Sequence, residues 1–329
     1  MRSLFGDSQT RCVSVDFRTI TPVPMQSPDL SRRKFLKLTG TAAALGALGP
    51  AVTRGQSPRA KRELPRRFVI DAHQHFSPDV RYFEWLVPTY QKRNAMACVN
   101  GWRREFGSIL EGAKKFPDVV IPYGRINPDD AGAASEVEYF ADNGASGIKL
   151  HSPQQDWDSE RYFPIYERIE KRGMMALFHT GITTLGMARM RPSFIHTISV
   201  KFPGLYILGA HLGNPWYAEA AEVARLRPRV YWDVTGSTLI KTEKNLKLFK
   251  DYLWWEGPTN HSSPQAVHAF EKILFGTDEQ PGQEAKGLGL DNMLSRYEDL
   301  FDACGVPEEI RRKSFGGTMA EILKIPVRT

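Results

Sequence analysis

The chain has 329 residues, 41% hydrophobic and 25% charged, values that belong to a soluble globular protein. Its net charge of +7 suggests an acidic partner, but the charge is unevenly placed. Residues 1–66 carry 12 Lys/Arg against 4 Asp/Glu, whereas the remainder carries 32 against 33, so the basic character sits in the leader and a nucleic-acid partner is excluded.

In chain order, the leader comes first. Ser31-Arg32-Arg33-Lys34-Phe35-Leu36-Lys37 is a twin-arginine motif, followed by the Ala/Gly-rich run Leu38 to Val52. That run is too short and too poor in large apolar residues to act as a stable membrane anchor. Residues 1–55 therefore read as an export leader for the twin-arginine machinery, with Met25 as an alternative start and cleavage near residues 50–58. Residues 56–66 form a linker and 67–329 the functional domain, which places the mature protein in the periplasm or outside a bacterial cell. Cys98 and Cys304 are the cysteines downstream of the leader and lie in no CxxC or zinc-knuckle spacing; they read as buried thiols, with a disulfide left open. The sequence leaves homo-oligomerisation open as well.

Beyond the linker, apolar runs alternate with amphipathic stretches. Strands are expected at 68–73, 95–100, 118–126, 146–151, 174–179, 205–210, 229–234 and 272–277, and helices at 104–115, 131–143, 161–172, 192–202, 215–226 and 242–253. Runs such as Met174-Met-Ala-Leu-Phe178 and Leu205-Tyr-Ile-Leu208 are apolar on both faces, as in parallel strands covered by helices. Eight such strands point to a (β/α)8 TIM barrel, a fold of about 250 residues.

The polar residues fall where such a barrel carries chemistry. His73 and His75, Arg125, His151, His179, His211 and Asp278 all stand at or just past the C-terminal end of an expected strand. Strand alternation points His73 and His75 the same way. With His179 they offer three nitrogen ligands, and Asp278 adds an anionic oxygen, a donor set suited to a catalytic divalent ion with an open position, zinc first and manganese second. His211, in Gly209-Ala-His211-Leu-Gly213, is placed to polarise a substrate oxygen or to shuttle a proton. His196, His261 and His268 lie away from strand ends and read as surface or loop residues. Trp254-Trp255 are candidates for a lid over the site or for covering the barrel rim, and Gly287-Leu-Gly289 for a plain loop.

Five segments in order carry a resemblance: Asp71-Ala-His73-Gln-His75, Gly147-Ile-Lys149-Leu-His151, Phe178-His179-Thr-Gly181, Ala210-His211-Leu-Gly213 and Ile273-Leu-Phe-Gly-Thr-Asp278. Over roughly residues 68–325 the chain resembles the amidohydrolase-related (amidohydrolase 2) family of the metal-dependent hydrolase superfamily, the branch that also contains metal-dependent decarboxylases. The resemblance implies metal binding by His73, His75, His179 and Asp278 and a catalytic role for His211. Two departures, Ser152 before Pro153 and Glu279-Gln280 before Pro281, fall in substrate-facing loops and bear on the substrate rather than on the metal.

Lys149 has two readings: a carbamylated bridge to a second metal, or a structural lysine paired with a carboxylate. Similarity to mononuclear members favours the second. His151 shares the parity of Lys149 and is expected to face substrate, and Arg125 is a candidate carboxylate clamp. The expected activity is hydrolysis of an amide, ester or lactone carbonyl of a small molecule by metal-activated water, with Asp278 taking the water's proton and His211 steadying the oxyanion. The alternative is non-oxidative decarboxylation of an aromatic or unsaturated acid.

Overall fold

The computed structural model describes residues 62–79, 81–181, 186–258, 267–279 and 289–328. The leader, most of the linker, Met25, His261 and Gly287 lie outside the described residues.

Seven parallel strands follow one another around a curled sheet in chain order: β1 Val69–His75, β2 Ala95–Trp102, β3 Val120–Ile126, β4 Gly147–Leu150, β5 Met175–Phe178, β6 Tyr206–Gly209 and β7 Val230–Trp232. The expected eighth strand is present as an extended run without a regular ladder. Leu274 N–H donates to Trp232 O at 2.8 Å on one side, and Ala72 N–H donates to Phe275 O at 2.9 Å on the other. Single bridges join Trp232 to Ile273 and Gln74 to Glu279, so the run fills the gap between β7 and β1. The architecture is the expected TIM barrel, closed on its last side by isolated hydrogen bonds.

The strands form because their residues are buried on both faces. On β2, Ala97 and Val99 pack outward against helices, while Met96 and Cys98 pack inward. The helices between strands carry the usual end signals. In α2, Arg103–Lys115, the Glu105 carboxylate accepts Trp102 N–H at 2.9 Å, and Lys114 and Lys115 occupy the last turn. Helices α3 Ala133–Asp142, α4 Phe163–Lys171, α5 Pro192–Lys201 and α6 Tyr217–Leu226 lie where the sequence places them. Helix α1, Tyr82–Lys92, which contains Pro88, was not among the helices picked out from the sequence. The stretch expected as one helix over 242–253 is instead α7 Ser237–Thr242, a short 3₁₀ turn and α8 Leu248–Tyr252. Helices α9 Leu290–Cys304, α10 Glu308–Arg312 and α11 Thr318–Leu323 complete the chain, and Met319 of α11 packs into the inner cluster with Phe68 and Ile70. Among the described residues no helix is long and apolar enough to cross a membrane. Cys98 and Cys304 are both buried free thiols.

One irregularity aims the site. On β1, Ile70 and Ala72 belong to the inner cluster, whereas the Asp71 carboxylate meets Tyr90 of α1 outside the barrel. The β1–β2 register shifts between Asp71 and Gln74, and Gln74 again meets Tyr90 on the outer side. This bulge leaves His73 and His75 directed inward. Asp71 holds it in place. It accepts His73 N–H and Thr277 N–H at 3.0 Å each, and the Thr277 and Tyr90 hydroxyls at 2.6 Å each. Burial pushes the Asp71 carboxyl up even against these four donors, so the donors are what make the burial tolerable. Asp71→Ala is expected to cost about 3 kcal/mol by stranding buried donors. Urea midpoints measure it, and a loss below about 1 kcal/mol would show that the network is not needed.

Candidate metal centre

His73 and His75 close β1, and Asp278 lies at the end of the eighth run, pinned by its own N–H donating to His73 O at 2.7 Å. Asp278 Oδ1 lies 3.2 Å from His73 Nε2 and 3.0 Å from His75 Nε2. One ligand atom from each of the three residues falls within 4.8 Å of the others. His179 follows β5 directly. Its backbone carbonyl accepts the Trp157 indole N–H at 2.8 Å, and its ring lies 4.8 Å from the His211 ring and 4.4 Å from that of His151. His179 stands outside the tight trio, yet its Nε2 is buried with no hydrogen-bond partner, an orphaned lone pair or hydrogen in the same region. Two imidazoles, a carboxylate and a buried unpartnered imidazole nitrogen fit a divalent cation.

Burial pushes His75 down to about 4, against the opposing pull of Asp278, and it pushes His179 well below the usual imidazole range, helped by His211 and Lys149. Burial also lowers His211. For Asp278, burial works against the charge, but His73, His211 and the hydrogen bond from His75 outweigh it and hold the carboxyl well below its ordinary range. Burial thus favours the neutral ring at His75, His179 and His211, beside one ionised carboxylate.

The residue that organises this arrangement is Asp233, just past β7, which sequence reasoning missed. His73 Nδ1 donates to Asp233 Oδ2 at 2.9 Å, which leaves the Nε2 lone pair facing inward. Asp233 Oδ1 accepts His211 N–H at 2.8 Å, Thr235 N–H at 3.0 Å and the Thr235 hydroxyl at 2.5 Å. Burial opposes the Asp233 charge too, yet the His73 and His211 contacts hold the carboxyl down to about 2. The signal was available in Trp232-Asp233-Val-Thr235-Gly236, a polar residue at a strand end like the others that were picked out.

His211 (φ +64°), Leu212 (φ +47°) and Asp278 (φ +55°) all occupy the left-handed region, rare for residues with a Cβ. Asp233 secures the first two, since its carboxylate takes His211 N–H and its own carbonyl takes Leu212 N–H at 2.7 Å. A cavity of about 220 Å³ opens between His179, His211, Asn214, Gly236, Ser237 and Asp278. Gly236 (φ +59°) backs it; a Cβ there would stand 3.0 Å from His211 Nδ1 and 3.5 Å from Asp278 Oδ2.

The other expected site residues are spread around this centre. Lys149 is fully buried, and its Nζ contacts His73 Nε2 at 2.9 Å, so its partner is an imidazole and not the carboxylate expected of a structural lysine. Burial lowers it to about 8 against the pull of Asp278 and Asp233. His151 is half-buried beside His179 and bonded to the Ser152 hydroxyl; burial, Lys149 and Arg125 push it down to about 3. Arg125, next to last in β3, has its guanidinium 4.5 Å over the Trp102 ring and a buried Nε that has no hydrogen-bond partner. Trp254 forms no lid. It lines a separate cavity with Phe270 and Glu271, which precede the eighth run, and Asp278 lies at that run's other end. Trp255 is buried.

The His75 shift fixes the sign of a pH effect. A ring held at about 4 in the fold stays neutral while the unfolded chain, at 6.5, takes up protons. Its contribution is complete above about 6.5 and is lost as pH falls toward 4. Urea midpoints of metal-free protein between pH 7 and pH 4 are expected to fall less steeply in His75→Asn than in the wild type; equal slopes would remove His75 as a cause.

A family model described as amidohydrolase matches residues 49–325. No curated protein matches the chain. Among solved structures, an uncharacterized TIM-barrel protein from Bordetella bronchiseptica is 17% identical with a TM-score of 0.57, over 78% of this chain and 98% of its own. A probable 2-pyrone-4,6-dicarboxylic acid hydrolase from Acinetobacter baumannii, with citric acid bound, is 11% identical with a TM-score of 0.54, over 78% and 99%. A 5-carboxyvanillate decarboxylase from Novosphingobium aromaticivorans, complexed with manganese and 4-hydroxy-3-methoxy-5-nitrobenzoic acid, is 13% identical with a TM-score of 0.52, over 79% and 96%. At these identities the solved structures establish the fold, and the family match over most of the length establishes the rest: the chain belongs to the amidohydrolase family.

Proposed function

We propose that the chain is a metal-dependent hydrolase that directs water at a carbonyl, an amide, ester or lactone, of a small carboxylate-bearing molecule. His73, His75 and Asp278 would hold one divalent ion, zinc in the first place and manganese in the second, with His179 as the further ligand. Such an ion supplies Lewis-acid polarisation and makes water acidic enough to lose a proton near neutral pH.

One observation carries the choice of hydrolysis. Asp278 Oδ2 and His211 Nε2 stand 4.0 Å apart on one cavity, Asp278 held ionised and His211 held neutral by burial. Two proton acceptors flanking a space for water suit the removal of a proton from that water. Decarboxylation needs a proton delivered to carbon, and neither group is an acid at rest. In this reading Asp278 accepts the water's proton, His211 keeps the attacking oxygen oriented, and Asp278 returns the proton to the leaving group. Arg125, a guanidinium with an unpartnered buried Nε, supports an anionic substrate; Lys149 stands opposite it in the β3–β4 ladder and His151 follows the end of β4. That same feature favours decarboxylation as the second reading, and the fold relatives include both a dicarboxylic acid hydrolase and a decarboxylase. Lys149, with its Nζ 2.9 Å from His73 Nε2, is read as a structural lysine of the site rather than as a bridge to a second metal. The twin-arginine motif at residues 31–37 supports action in the periplasm or outside the cell.

A panel of lactones, esters, amides and aromatic acids in labelled water decides between the readings. Label in the product carboxylate supports hydrolysis, and release of carbon dioxide without label sinks it. The double variant His73→Ala with His75→Ala is expected to lose bound metal by elemental analysis. His211→Asn is expected to keep metal and to lose on the order of 10²–10⁴ in kcat. Full turnover by the metal-free double variant would overturn the proposal.

A further inference from the structure

The geometry points to Thr235 and Asp233 as positioning residues that decide which nitrogen of neutral His211 carries the hydrogen. This deepens the proposed hydrolase reading and rests on it only for its consequence in turnover.

The steps are hydrogen-bond bookkeeping. Asp233 Oδ1 receives the backbone N–H of His211 and the backbone N–H of Thr235, at 2.8 and 3.0 Å. Backbone N–H groups can only donate, so Oδ1 is an acceptor. The Thr235 hydroxyl lies 2.5 Å from the same oxygen, and the single hydrogen it owns must lie between them; otherwise two lone pairs would face each other. That hydroxyl is also 2.9 Å from His211 Nδ1. With its own hydrogen committed to Asp233, Thr235 can offer Nδ1 only a lone pair. Nδ1 therefore carries the imidazole hydrogen, and the Nε2 lone pair faces Asp278 and the cavity.

The consequence is a division of labour. A neutral ring with its hydrogen on Nδ1 can accept a hydrogen bond from water or a substrate hydroxyl but cannot donate one to an oxyanion. His211 thus begins the cycle as an acceptor. The other Asp233 oxygen fixes His73 by the same logic, since Nδ1–H donates to Oδ2 and Nε2 is left bare. One buried carboxylate sets both rings, through separate oxygens, and only the His211 branch passes through a hydroxyl. Replacing that hydroxyl separates the two.

The test is ¹⁵N nuclear magnetic resonance of histidine-labelled full-length protein at neutral pH, before and after metal chelation, with the His211 signals assigned by their loss in His211→Asn. In the wild type, Nδ1 is expected to show the shift of a protonated nitrogen and Nε2 that of a bare one. Thr235→Val is expected to release the ring so that the Nε2–H form appears, and Thr235→Ser is expected to restore the wild-type pattern. In turnover, Thr235→Val is expected to lose roughly tenfold to hundredfold in kcat with KM and metal content unchanged. Nε2–H in the wild type would overturn the assignment without any variant, as would an unaltered pattern in folded Thr235→Val. The spectra need no substrate. Release of carbon dioxide in the substrate panel would therefore remove the hydrolase reading while the proton assignment stood or fell by itself.

Discussion

The site depends on a charge placed where water cannot reach it. Asp233 is fully buried, and burying a carboxylate is costly unless hydrogen bonds replace its hydration. Four hydrogens do so: the His73 ring, two backbone amides and one hydroxyl. Because they come from β1, from the turn after β6 and from the segment after β7, satisfying the charge brings three strand ends together. The left-handed backbone at His211 is stable because that same carboxylate holds the amide on which the turn depends.

Asp71 plays the corresponding part on the outer face of the sheet. Both carboxylates bind β1 to a later strand end, Asp233 from inside the barrel and Asp71 from the helix side through Thr277 and Tyr90. His73 lies between them, its amide held by Asp71 and its ring by Asp233. A ring whose backbone and side chain are each fixed by a buried anion has little freedom to turn. Little entropy is then left to lose when that ring takes up a ligand.

Much of this was legible in the sequence, and for one reason. Parallel strands covered on both sides are apolar runs, so a polar residue at the end of such a run stands out, and His73, His75, His179, His211 and Asp278 stand out in that way. What escaped depends on pairing between distant segments. His211 and Asp233 meet because Gly209 sits opposite Trp232 in the β6–β7 ladder, and no spacing along the chain declares that register. The β1 bulge is equally silent, since Asp71-Ala-His73-Gln-His75 reads as plain alternation. Helix α1 was not picked out, and the segment after β7 broke into short helices where one was expected.

The eighth run gives the barrel a seam. A continuous ladder spreads the cost of opening over many paired amides, whereas the run at 273–279 is tied to its neighbours by isolated bridges and a few single bonds. Asp278 sits on that seam while His73 and His75 sit on the well-paired strand beside it. The carboxylate wall of the site is thus carried by a run held through single bonds, and the imidazole wall by a laddered strand.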